Sequence, residues 1–436
     1  MAGKTDTAQI KYQYNVPFPE PQTKKHHTTV TLAPADRRFL VDSEANVLVV
    51  VRVNSQGDLD ENFGENGYHA ESLEVDANST AAGFLVVKDG GGVAALANAT
   101  QLGLVAFKED GQLDTSFGKD GKIVHQFDPD ADTVKRYIQR APGLTDKELP
   151  VHEAGQSAAQ AIVATEDGGF YGIVGQRLSG PSALISCKHD GQLNREFAGG
   201  IVTITYPDRT AHGVALVSTA DGGVVAAGTL RGGSTRFAGF LARYDRSGAL
   251  DRSFGDSGFS VFDSESPGDP VGEMFQMEFN HVTRLAGGGF AACGSLLTIK
   301  PTKSHGLVAC VDAHGKLLES FNNGKPLLFE VPDSTETDFL FGGIAQQADG
   351  KIVVAGGVTY RSSGYTRELL VVRFNPDGSL DKSFAPEGYF KYKPFGNGVS
   401  YLYSLAVTEA DSIVVAGDGG NDNNVGSQRG FVVQLA

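Results

Sequence analysis

Tryptophan is absent from this 436-residue chain, and cysteine and methionine are down to three residues each. Three cysteines cannot form a disulfide framework, which excludes a small stapled scaffold. Cys187, Cys293 and Cys310 each sit inside an apolar strand-like run and read as buried free thiols in a reducing compartment. No apolar run reaches the roughly 20 residues of a transmembrane helix. The opening stretch, MAGKTDTAQIKYQ, lacks the apolar centre of a signal peptide. A cytoplasmic location is therefore expected, with a dedicated secretion route as the alternative. Positive charge is also short, with 37 Lys and Arg against 52 Asp and Glu, a net charge of −15. That balance argues against broad binding to nucleic acid or an anionic membrane. Signatures of familiar chemistry are missing too: there is no HExxH, CxxC or nucleophile-elbow motif. His125, His212, His281 and His305 share no spacing that builds a metal site. GDGGNDNN, from Gly417, is Gly-rich, but no helix pattern follows it, so it is no phosphate-cradling loop.

Glycine, by contrast, is abundant at 56 residues, and hydrophobic residues make up 40%. Strand-like runs punctuated by turn signals point to an all-β protein with a sizeable core. One phrase organises the chain. It reads NSQGDLDENFG from Asn54, EDGQLDTSFG from Glu109 and HDGQLNREF from His189. It returns as DRSGALDRSFG from Asp245, AHGKLLESF from Ala313 and NPDGSLDKSF from Asn375. Each copy has a Gly, a Leu two residues on, and a Phe four residues beyond that: Phe63, Phe117, Phe197, Phe254, Phe321 and Phe384. Repetition on this scale marks a repeat architecture.

Four strands fit into each repeat. The first ends at a tight turn, often Asp-Gly, the strongest short hairpin signal. The second is rich in Ala and Gly, as in VVAAGTL from Val224 and IVVAGGV from Ile352, which suits close packing between sheets. The third is a run such as GFLARYD or LLVVRFN, and the fourth follows the phrase. Four antiparallel strands that cannot bury both faces alone are the pattern of a β-propeller blade. The phrase Phe, placed after a hairpin turn, is expected to swing back between adjacent blades. The third-strand pattern occurs seven times, from LVVVRVN to FVVQLA, so seven blades are expected, with six as the alternative. Residues 1–26, which contain Pro17, Pro19 and Pro21, read as an extended arm. Residues 27–436 read as one propeller domain, closed by an N-terminal strand over Thr28–Leu32, with RRFLVD from Arg37 opening the first blade.

The phrases ADGKIVVAG from Ala348, LVVRFNPDGSLDKSF from Leu370 and LARYDRSGALDRSFGDSG from Leu241 resemble the delta-sixty repeat family, found mainly in bacterial proteins. The resemblance runs from about Val47 to the C-terminus. It is strongest in the copies with Asp251 and Asp381 and weaker where Asn194 or Leu318 replaces the Asp. It implies a propeller-like fold and supplies no catalytic residues.

The variable loops carry the functional expectations. In a propeller the second-to-third-strand loops and the fourth-to-first-strand links share one face. The longest links run from Asp128 to Ser157 and from Asp263 to Glu278. The loops hold Arg177, Arg231, Arg236, Lys300, Lys303, Arg361, Arg367 and Arg429, with Tyr360 and Tyr365 among them. A basic, aromatic-dotted face on an acidic body suits an anionic small ligand, a glycan or an acidic partner protein. The ligand-binding candidates are Arg231, Arg236, Lys303, Tyr360, Arg361, Tyr365 and Arg367. A non-enzymatic binding scaffold is the leading expectation. One rival is a hydrolase or lyase with Asp128, Asp130, Asp132, His152, His212 and Glu273 at the channel mouth. Another is a carbohydrate-binding lectin with pockets repeated between blades. No cofactor is expected. Asn375, Asp377 and Asp381 resemble a calcium loop, but Gln56, Lys108, Ser247 and His314 break the oxygen pattern in other copies, where turn geometry alone explains the Asp and Gly residues.

Overall fold

A computed structural model of the chain describes residues 8–15, 29–33, 37–44, 46–75, 81–86, 91–98, 100–127, 162–175, 181–232, 237–263, 274–299, 302–331, 337–360, 366–395, 398–420 and 429–436. Among these residues the only helical pieces are two 3-10 turns, Ala198–Gly200 and Asn322–Gly324. The protein is all-β.

Strand β1 (Ile10–Asn15) comes first and pairs last. The next four, β2 (Thr29–Leu32), β3 (Arg38–Glu44), β4 (Val47–Val53) and β5 (Tyr68–Ser72), form an antiparallel meander. A second meander holds β6 (Ala81–Val86), β7 (Gly92–Ala97), β8 (Gln101–Phe107) and β9 (Lys122–Gln126). A third holds β10 (Ile162–Ala164), β11 (Phe170–Val174), β12 (Ala183–Cys187) and β13 (Ile201–Thr203). The short β14 (Thr205–Tyr206) then leads into β15 (Arg209–Ser218), β16 (Val224–Gly232), β17 (Phe237–Tyr244) and β18 (Phe259–Phe262). A single parallel pair, Phe237 with Gln276, joins this group to the next, β19 (Met274–Arg284), β20 (Phe290–Ile299), β21 (Thr302–Val311) and β22 (Leu327–Phe329). The group β23 (Thr337–Gln346), β24 (Ile352–Tyr360), β25 (Thr366–Phe374) and β26 (Tyr389–Tyr392) follows. Last come β27 (Val399–Val407), β28 (Ile413–Gly420) and β29 (Arg429–Leu435), with β1 laid antiparallel on β29.

Successive side chains point to opposite faces, and the central strands are apolar at almost every position, so both faces of each sheet must be covered. Seven clusters do this, each between two successive groups. The last packs Val414, Ala416 and Val432 against Val30, Leu40, Val51 and Val53, so the final group returns to the first. The arrangement is propeller-like. The six phrase phenylalanines are all buried, one in each of six clusters, as the repeat pattern requires. Four of the phrases also grip the next. Gly64 N–H donates to Asp110 O, Gly118 to Asp190 O, Gly255 to His314 O and Asn322 to Asp377 O, at 2.7–3.0 Å. Gly in the following phrase is what lets the ring in. A Cβ on Gly111 would lie 2.8 Å from Phe63, and one on Gly191 2.5 Å from Phe117.

Two expectations are corrected. The strand that completes the last group is Ile10–Asn15, not Thr28–Leu32, and it lies inside the supposed arm. Its register runs from Asn15 opposite Phe431 to Ile10 opposite Leu435. Ile10 packs on the same cluster as Phe431 and Leu435, which gives this mostly polar strand its anchor. Thr29–Leu32 instead supplies the first strand of the first group, and the RRFLVD stretch is its second. Glycine in the second strands also has another cause. Strands β15, β19, β23 and β27 each carry a bulge. A Cβ at Gly228, Gly294, Gly356 or Gly417 would lie 1.9–2.0 Å from a carbonyl oxygen of the bulged strand. The close approach is within each sheet, at the bulge.

Candidate functional site

Meander order decides which connections share a rim. The first-to-second and third-to-fourth connections leave one end of each sheet, and the other connections leave the opposite end. Gly232, Phe237, Ile299, Thr302, Tyr360, Thr366, Gly420 and Arg429 therefore mark one rim. The long links 128–161 and 264–273 leave fourth strands at that same rim. The second is shorter than its sequence suggests, because Glu278 lies well inside β19.

Arg231 and Arg367 are at this rim, but both are held in seams between sheets. The Arg231 guanidinium lies 4.7 Å from the Phe237 ring and pairs with Glu278 of the next group at 3.6 Å. Glu278 is 2% exposed and also takes a hydrogen bond from Gln276 Nε2. Arg367 donates through Nε to Thr359 Oγ1 at 2.8 Å and lies 4.8 Å from the Tyr401 ring of the next group. Glu278 and Tyr401 occupy matching places, each paired with the residue after the bulge-facing glycine. Both arginines thus latch one sheet to the first strand of the next group. Ser304 does the same with Phe339 O at 3.0 Å.

Tyr360 faces the other way. It packs with the cluster between the β19–β22 and β23–β26 groups, and Lys391 Nζ donates to its hydroxyl at 3.2 Å. Lys391 is held above its ordinary pKa: burial would lower it, and the Tyr360 hydrogen bond and nearby negative charge outweigh that. Tyr360 and Arg367 therefore stand on opposite faces of one sheet. The backbone of Lys303 lies in β21. Arg177, Arg236, Lys300, Arg361 and Tyr365 lie outside the described residues, as do Asp128, Asp130, Asp132, His152 and Glu273. Of the channel-mouth candidates, His212 is described, and it is 1% exposed on β15.

The calcium-like turn uses its oxygens locally. Asp377 Oδ1 accepts from the Ser379 amide and hydroxyl, and Asn375 Nδ2 donates to the same hydroxyl at 2.9 Å. Asp381 Oδ1 accepts from the Ser383 amide and hydroxyl, while Oδ2 accepts from Arg373 Nε at 2.8 Å. Burial alone would raise the Asp381 pKa; the Ser383 bonds and the Arg373 charge outweigh it and hold the carboxyl below its ordinary value. Among the described residues, no three His, Cys, Asp or Glu side chains converge.

Sequence reasoning assigned no role to several polar groups buried in the strands. Glu278, Asn280 and His281 lie buried on β19. Asp418, 1% exposed, lies close enough to Tyr403 to act on its phenol. Burial, and then the Asp418 carboxylate, pushes the Tyr403 phenol well above its ordinary pKa. The one available signal was a polar residue breaking an apolar strand, as Asp418 does after Gly417.

The family described as a domain of unknown function (DUF5122) beta-propeller matches residues 347–384, from the end of one first strand to the last phrase. No curated protein matches the chain. Among solved structures it is similar to a catalytically inactive virginiamycin B lyase from Staphylococcus aureus crystallised with quinupristin. The identity is 10% and the TM-score 0.46, over 98% of this chain and 99% of that one. It is also similar to the Dos1 propeller, at 10% identity and a TM-score of 0.47, over 98% and 95% of the two chains. A gluconolactonase from Xanthomonas campestris gives 10% identity and a TM-score of 0.39, over 96% and 99%. None of these likenesses transfers an activity.

Proposed function

We infer that the sheet groups are seven four-stranded blades of one closed propeller of the delta-sixty type. We further infer that the ring is a non-enzymatic scaffold whose loop-rich rim binds a partner protein or an anionic or glycan ligand. One observation carries this reading. The strand order sends the long, unequal connections to a single rim, above sheets whose seams repeat nearly the same contacts. Rigid sheets carrying variable loops are the usual division between support and recognition. The described acids and bases near that rim support a binding role in a particular way. Glu278 holds Arg231, Glu368 holds Lys393 at 3.1 Å, and Asp263 holds Arg209 at 3.6 Å. Such groups brace the rim, and recognition falls to the loop residues Arg236, Arg361 and Tyr365. The test is an array of uronate- and sulfate-bearing glycans and acidic peptides, read at low and at physiological salt. The wild-type chain is expected to retain at least one class in a salt-sensitive way. Arg236→Ser combined with Arg361→Ser should lose it without a change in melting temperature. Equal retention by both proteins would refute the rim as the site.

A further inference from the structure

Beside the bulge of β19, two buried polar groups stand next to each other in sequence. Asn280 is 1% exposed and His281 is 5% exposed. The Asn280 amide donates through Nδ2 to Phe341 O, on β23, at 3.1 Å. That bond fixes which end of the amide carries the oxygen. Asn280 Oδ1 has no protein partner among the described residues, and neither has His281 Nδ1. The bulge between Phe279 and His281 breaks the strict alternation of side chains, so the two neighbours are not sent to opposite faces as in a regular ladder.

We propose that this place between β19 and β23 is a binding site for a water molecule bridging Asn280 Oδ1 and His281 Nδ1. The amide oxygen accepts only, so its partner must donate. Burial holds the His281 pKa down to about 4, so the ring is neutral near pH 7, with one nitrogen a donor and the other an acceptor. Water can donate to Asn280 and then either accept from or donate to Nδ1, whichever tautomer is present. A charged guest would pay the desolvation cost of an interior position with no counter-charge on either group. Buried polar atoms left dry are costly, and interiors fill such places with fixed water held by two to four bonds.

The test is a crystal structure of the full chain at a resolution that shows ordered solvent. A well-ordered peak within about 3 Å of both atoms is expected. Two results would overturn the site: both atoms bonded to protein groups with no peak between them, or a peak that gains anomalous signal after rubidium soaking, which would make it a cation. In solution, magnetic relaxation dispersion should count one fewer long-lived water in Asn280→Leu than in the wild-type chain, and an unchanged count would also overturn it. Should that variant fail to fold, His281→Phe gives the same comparison, and the wild-type crystal stands alone as the deciding observation.

Discussion

Side-chain pairs eight residues apart explain why the phrase varies as it does. The residue after the phrase Leu returns a backbone bond to the third strand, from Asp60 to Arg52 O, Asp251 to Arg243 O and Asp381 to Arg373 O. In these three copies the side chains also pair, Nε to carboxylate, at 2.8, 3.3 and 2.8 Å. The guanidinium of Arg52 lies 4.9 Å from the Phe63 ring, and that of Arg373 4.7 Å from Phe384. Where Asn194 replaces the Asp, its partner is Ser186, and where Leu318 replaces it, the partner is Cys310. In five of the six copies the two positions change together in chemistry; in the sixth, Asp114 lies opposite Ala106 and takes the Ser116 hydroxyl instead. A double-mutant cycle on Arg373→Ala and Asp381→Ala should show a coupling of about 1–2 kcal/mol by urea unfolding. A coupling near zero would mean the pair is incidental. His281 gives a pH prediction. Its pKa is about 4 in the fold, against an ordinary 6.5 when unfolded. The unfolded chain therefore binds more protons as pH falls below 6.5, and stability drops with it. Between pH 7 and pH 5 the loss from this group should be about 2 kcal/mol. His281→Gln should flatten that part of the stability–pH curve.

At the scale of the strand, repetition stores two devices: a ring that seals each seam and a glycine that accommodates each bulge. Phe254 is fully buried beside Phe290, with ring centroids 6.0 Å apart. Phe254→Ala should cost on the order of 3–5 kcal/mol through lost burial and a residual cavity, measured by denaturant unfolding. Gly356 tests the other device. A Cβ there would sit 2.0 Å from Leu340 O, a backbone atom that cannot swing aside. Gly356→Ala should destabilise by roughly 1–3 kcal/mol, a larger effect than the same change at Gly287, where a Cβ would meet nothing within 4 Å. If the two substitutions proved equal, the bulge would not be what the glycine serves.

For the whole molecule, the weak point is the join. The final group completes itself with a strand from the far end of the sequence, and Ala436 N–H donates to Gln9 O beyond the ladder. Arg38, 2% exposed on β3, reaches back to Gln434 of β29. Without β1 the β29 edge would be open to pairing with other chains. Deleting residues 1–15 should lower the melting temperature by several degrees and promote association, read by calorimetry and light scattering. An unchanged melt and a monomeric variant would show that β1 does not stabilise the fold.

The repeat phrase, the turn glycines and the alternating apolar runs determined an all-β, propeller-like protein, because they act over a few residues and recur. The burial of the six phenylalanines was legible for the same reason: position after a hairpin turn dictates where a ring can go. Which segment closes the last group was not legible. IKYQYN carries only modest strand character, and its pairing with Arg429–Leu435 arises when the two ends of the chain meet in space. The candidate arginines show the same limit. Sequence placed Arg231 and Arg367 near one rim, but only packing decided that Glu278 and Tyr401, from the next strand group, would take hold of them. Partners that lie far apart in the chain leave no local pattern, so seams between sheets are decided by tertiary structure.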